Sequence, residues 1–117
     1  MNRSATAAEG WHCPAERTLD FLSGKWRPMV IFWLREGPLR FNELQRRLGA
    51  ITHRTLSKTL KEMEADGLVQ RKDYGEIPPR VDYSLTDRGR SLEPVLQAME
   101  EWAQSQPERD HGELDER

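Results

Sequence analysis

Residues 41–63, FNELQRRLGAITHRTLSKTLKEM, decide the fold. Phe41, Leu44 and Leu48 recur at helical spacing, and Gly49 stops the pattern. Ala50, Ile51 and Thr52 form a tight link, with Thr52 placed to cap the helix that follows. Leu56, Leu60 and Met63 then mark one face of that helix, which Asp66-Gly67 ends. Two short helices joined so closely make the helix-turn-helix pattern. At about 100° per residue, Arg54, Thr55, Lys58, Lys61 and Glu62 lie opposite the apolar face. Arg and Lys pair with guanine edges or phosphates, and Thr contacts either. The helix, with His53 in its first turn, is therefore expected to enter the major groove of double-stranded DNA. A polar outer face is common to all amphipathic helices, so the weight rests on what flanks it.

Upstream, Pro14 opens a short helix expected over 14–23, with Leu19 and Leu22 at i,i+3 and Gly24 as its stop. Trp26, Met29, Val30, Trp33 and Leu34 follow at i,i+3,i+4,i+7,i+8, while Ile31 and Phe32 fill other faces. A helix apolar nearly all round is a buried core helix, and Gly37-Pro38 ends it. Its Trp26, Phe32 and Trp33 are taken as core and not as a ligand box. Downstream, the period changes. Leu68–Tyr74 is a strand, residues 75–79 form a turn with two prolines, and Val81, Tyr83 and Leu85 alternate with polar neighbours in a second strand. Thr86 caps a last helix bearing Leu92, Val95, Leu96, Met99 and Trp102. Pro94 leaves two options: the regular helix starts near Ser91, or it kinks. The expected fold is mainly α with a small β-hairpin, a winged helix-turn-helix. Arg46 and Arg47 at the exposed end of the third helix, and Arg40 just before it, are candidates for phosphate contact. The hairpin offers Lys72 and Arg80, whose alternative role is strand solubility and edge protection.

At 117 residues the chain is one domain. Its net charge of −2 conceals a local contrast. Residues 40–72 carry eight Lys/Arg against four acids, and residues 106–117 carry two against five. A confined basic block suits a confined anionic partner. The expected divisions are a disordered N-terminal arm at 1–12, the winged domain at 13–104 and an acidic tail at 105–117. No signal peptide or membrane-length apolar run is evident, and the single cysteine, Cys13, fits a reducing, cytoplasmic setting.

The sequence also resembles the HxlR family of bacterial transcription regulators. The likeness lies in Cys13 to Leu19, Ser23-Gly24-Lys25-Trp26, Leu39 to Leu44, Ile51 to Leu60, Glu64 to Val69, Pro78 to Thr86, and Gly89, Leu92, Pro94 and Trp102. It implies a homodimer held by the first and last helices, acting on nearby genes without catalysis. Leu19, Leu92, Val95, Leu96, Met99 and Trp102 are then the expected dimer contact, setting two recognition helices over a roughly palindromic operator. Some members of the family sense oxidants or electrophiles through a cysteine at the position of Cys13. That leaves two roles for Cys13, a redox sensor or an inert packing thiol, and an oxidant or small-molecule effector as a partner to be tested. The acidic tail and His12 depart from the family pattern.

Other classes fit less well. There is no phosphate loop, dinucleotide glycine motif or metal-ligand spacing, so no catalytic residue, cofactor or metal is expected. Histidines 12, 53 and 111 are scattered. A protein-binding winged helix would present an uncharged centre, unlike this cationic face.

Overall fold

A computed structural model describes residues 13–108. The expected arm at 1–12, with His12, and the acidic tail from 109 onward lie outside the described residues. Helix α1 spans Pro14–Phe21 and α2 Trp26–Leu34. Strand β1, Leu39–Arg40, runs directly into α3, Phe41–Leu48. Helix α4 is His53–Ala65, β2 Val69–Asp73 and β3 Val81–Leu85. Helix α5 is Asp87–Arg90 and α6 Glu93–Gln104.

The sheet has three strands, not the two of a simple hairpin, in the antiparallel order β1-β3-β2. β1 is too short to show a period of two. It pairs Leu39 with Tyr83 and Arg40 with Asp82. β2 pairs Val69 with Leu85 and Lys72 with Asp82. Val81, Tyr83 and Leu85 therefore share one face of β3, and Asp82 and Ser84 the other.

The core gathers Val30, Ile31 and Leu34 of α2, Leu44 and Leu48 of α3, and Leu56, Leu60 and Met63 of α4. Leu68, Val69 and Leu85 of the sheet close it, together with Leu22 and Leu96. Helix α2 is less completely enclosed than its composition suggests: Met29 and Phe32 stay exposed, and Trp26 and Trp33 are partly buried.

The boundaries of α4 and α5 have local causes. Thr52 Oγ1 accepts from Thr55 N at 3.1 Å and caps α4. At its other end, Leu68 N donates to Met63 O and Gly67 N to Glu64 O, both at 2.9 Å. This is the Schellman arrangement, and it needs a residue with φ +78°, hence Gly67. Thr86 does two jobs. Its hydroxyl donates to Gly67 O at 2.6 Å and accepts from Gly89 N at 3.0 Å, so the cap of α5 is tied to the end of α4. Arg88 adds a bond to Asp66 O at 2.9 Å. Gly89 is buried against the Leu68 carbonyl, where no side chain fits.

Of the two options for Pro94 the first holds, a regular helix with the proline in its first turn, but Thr86 caps a separate short helix in front of it and not the last helix itself. The chain turns through α5, and α6 then begins at Glu93 with Pro94 in its first turn, where a missing N–H leaves no hydrogen bond unmade. Helix α1 ends at Phe21, two residues short of expectation.

Candidate DNA-binding face

Helix α4 is positioned by contacts at both ends and along one side. Its buried side is Leu56, Thr59, Leu60 and Met63. Thr59 is a core residue that hydrophobic spacing alone could not reveal. The preceding turn is fixed by Ile51, which is buried, and by Gln45 Nε2, which donates to Ile51 O at 3.2 Å. The His53 ring packs on Phe41 with centroids 4.6 Å apart.

At the far end, Arg27 of α2 acts as an anchor. Its guanidinium reaches Asp66 Oδ2 at 2.7 Å, Phe21 O at 3.1 Å and Glu62 Oε1 at 4.0 Å, with its side chain only 12% exposed. One cation thus joins α1, α2 and α4. Sequence reasoning missed Arg27, because no spacing rule reports a partner thirty-nine positions away.

The outward side of α4 is as expected in composition. Arg54, Lys58 and Lys61 are exposed, and with His53, Ser57 and Glu62 they line a shallow, open depression along the helix. Ser57 was not foreseen, since a small hydroxyl at the flank of the polar face carries little signal. Lys58 stands 4.0 Å from Glu62, an exposed i,i+4 pair that holds it weakly. Thr55 is half-buried and its hydroxyl is hydrogen-bonded to Thr52 at 3.0 Å, which turns it toward capping.

The arginines of α3 share one carboxylate. Glu43 binds Arg46 and also Arg47, the latter at 2.7 Å. The hydrogen bond from Arg47 is the main reason that the Glu43 carboxyl titrates below the usual range. Arg47 also lies over the Trp33 ring, 5.4 Å from its centroid.

The third group of expected contacts, Arg40, Lys72 and Arg80, collects on the outer face of the sheet. Arg40 and Lys72 flank Asp82 in register. Asp82 is buried and accepts from Arg80 at 3.3 Å. That hydrogen bond raises the affinity of the Arg80 guanidinium for its proton. Two cations lie against the Tyr74 ring, Arg80 at 4.1 Å and Lys72 at 4.8 Å from its centroid. The loop is closed by Tyr74 N to Arg80 O at 3.0 Å and Gly75 N to Asp73 Oδ1 at 2.9 Å. Ile77 at its tip is 98% exposed.

The residues expected at a dimer contact separate into two sets. Leu96 belongs to the core of its own chain and is 6% exposed, and Leu92 packs against that core. Leu19, Val95, Met99 and Trp102 are exposed, Trp102 by 68%. Cys13 is a half-buried free thiol at the N-cap of α1. Among the described residues no group of three His, Cys, Asp or Glu could hold a metal ion, and no helix is long and apolar enough to cross a membrane.

Comparison with known proteins agrees with this architecture. The HxlR-like helix-turn-helix family pattern matches residues 21–111. An HTH-type transcriptional regulator of Halalkalibacterium halodurans is 51% identical over 90 residues, covering 76% of this chain and 80% of that protein. Among solved structures, the redox regulator HypR in its oxidized form superposes with a TM-score of 0.75 at 45% identity, covering 83% of this chain and all of that one. The reduced form of the transcriptional regulator YodB from Bacillus subtilis gives 0.72 at 35% identity, with 80% and 92% covered. The chain belongs to the HxlR-like helix-turn-helix family of DNA-binding transcription regulators, and its structure is a winged helix.

Proposed function

We propose that this regulator works in the cytoplasm as a homodimer on a roughly palindromic operator, reading each half-site with α4. The observation that carries the proposal is the outward face of α4, where Arg54, Lys58 and Lys61 stand exposed on a helix fixed at both ends. Arg54 and Lys58 reach base edges or the adjacent phosphates, and Thr55 and His53 sit at the start of the same helix. Arg46, Arg47, Arg40, Lys72 and Arg80 hold the backbone on either side. The exposed Leu19, Val95, Met99 and Trp102 supply a dimer contact between α1 and α6, an apolar surface that a lone subunit would leave in water. Two recognition helices would then sit about 34 Å apart, one duplex turn.

The test is a DNA-binding titration on fragments selected from the source genome, with Lys58→Ala and Arg54→Ala beside wild type. Loss of base contacts relaxes preference at a cost of roughly 1–3 kcal/mol. Unchanged affinity and preference in both variants would place recognition elsewhere. Sedimentation as a monomer at micromolar concentration would remove the dimer.

A response to oxidants through Cys13 is the second part of the proposal. Its support is the likeness to HypR, a redox regulator solved in oxidized and reduced forms, together with a thiol at the head of a helix expected at the dimer contact. Two Cys13 thiols joining across the dimer lose two protons and two electrons, which diamide accepts. Cys13→Ser should abolish any effect of diamide on DNA affinity. Equal responses of wild type and variant make Cys13 an inert packing thiol.

A further inference from the structure

Asp82 is a carboxylate on the middle strand, paired on both sides, in a hairpin otherwise suited to phosphate. It is 8% exposed. Burying a carboxylate is costly unless cations and hydrogen-bond donors surround it. Here Arg80 donates at 3.3 Å and Arg40 Nε lies at 4.0 Å, while Lys72 occupies the register position on the other side. Residues directly opposite one another on neighbouring strands share a face, so Arg40, Asp82 and Lys72 form one row across the sheet. Tyr74 holds Lys72 and Arg80 from the side. The hold on Arg80 leaves its Nε enclosed without a hydrogen bond, an arrangement that a freely solvated arginine would avoid.

We propose that Asp82 is a positioning residue for DNA binding, gathering Arg40, Lys72 and Arg80 into a single clamp for one stretch of duplex backbone. The inference rests on the proposed use of this face for DNA. It differs from three independent phosphate contacts in one respect. A simple count of charge says that removing Asp82 strengthens DNA binding, because a negative group leaves the basic surface. A clamp says the reverse, because three cations with no common anchor repel one another and lose their geometry.

The experiment measures dissociation constants against salt on a non-specific duplex of about 30 base pairs, where the phosphate contribution stands alone. Wild type, Asp82→Asn, Asp82→Glu and, as a control, Lys58→Ala are compared, with melting temperatures recorded for each. Asp82→Asn is expected to weaken binding about fivefold at 0.1 M salt and to lower the salt slope by one to two. Asp82→Glu should recover most of both. Equal or tighter binding by Asp82→Asn with an unchanged slope overturns the clamp. If Lys58→Ala weakens binding in that case, the DNA-binding face stands and only the role of Asp82 fails. If wild type itself fails to bind duplex, the proposed face and the clamp fall together. Should Asp82→Asn not fold, Arg40→Ala, Arg80→Ala and the double variant decide the matter. In a clamp the double variant loses little more than either single one, whereas additive losses refute it.

Discussion

Gly89→Ala is expected to cost far more than a change of one methyl group normally does. In a helical segment, alanine is favoured over glycine by about 1 kcal/mol. That gain is offset at this position by sterics. A Cβ on residue 89 would lie well inside 3.0 Å of the Leu68 carbonyl oxygen, and 3.2 Å from both Leu68 C and Leu85 Cδ2. The obstructing atom is backbone, so no rotamer change relieves it. The same carbonyl accepts from Thr86 N at 3.1 Å, so displacing it also strains the junction between β3 and α5. Overpacking costs roughly 1–3 kcal/mol. Loss of the Thr86 cap on Gly89 N adds about 1 kcal/mol, and loss of the bond to Leu68 O about 1 kcal/mol more. After the helical gain is subtracted, the net loss is about 2–4 kcal/mol, a large share of the roughly 5–15 kcal/mol that holds a domain of this size. At about 4 °C or more per kcal/mol, the melting temperature falls by at least about 8 °C. Calorimetry or circular dichroism at one fixed protein concentration measures it. Gly67→Ala is the comparison, because its Cβ meets only the Arg88 side chain, at 3.6 Å or more, and its cost is the left-handed φ alone, about 1–2 kcal/mol. A Gly89→Ala protein that melts at or above wild type would refute the steric account.

Arg27→Met should destabilise by roughly 1–3 kcal/mol, since Asp66 and the Phe21 carbonyl lose a charged donor while Asp66 retains access to water; an unchanged urea midpoint would show that the anchor is dispensable. Glu43→Gln frees Arg46 and Arg47, and should steepen the salt dependence of DNA binding by up to about one. The same variant carries a pH signature. Glu43 titrates below its usual range in the folded state, so its contribution is present above that range and disappears as pH falls through the lowered value. The wild-type advantage in melting temperature should therefore be seen at pH 7 and vanish in strong acid, and a pH-independent difference would contradict it. Trp102→Glu places a charge on the exposed stripe of α6 and should shift the sedimentation profile toward monomer, leaving the circular dichroism spectrum intact.

Much of the fold was legible because its elements obey simple periods. The helix-turn-helix, the change to alternation after Gly67 and the capping roles of Thr52 and Thr86 are all local signals. What escaped was non-local or too short. Two residues of β1 cannot display alternation, and only pairing with Tyr83 and Asp82 reveals them as strand. No local signal marks Arg27 or Asp82, because their significance lies in partners brought together by the fold. The apolar run on α6 was uniform in sequence, yet packing against α2 divides it, enclosing Leu96 and leaving Met99 and Trp102 in water. The exposure of Arg54, Lys58 and Lys61 on α4 was easy to find from helical angle, whereas the half-buried Thr55, bonded to the capping Thr52, was not.

The junction around Thr86 has a mechanical consequence. The far end of α4 is fastened to α5 by Thr86 and Arg88, and α6 follows through Leu92 N to Gly89 O and Leu96 N to Leu92 O, at 3.1 and 3.0 Å. Leu96 then seats α6 in the same core that holds α4. The outer helix is therefore joined to the end of α4 by a short run of hydrogen bonds and by a shared core. If α4 reads DNA as proposed, a displacement of α6 is expected to carry α4 with it through this junction, the subunit turning as one body.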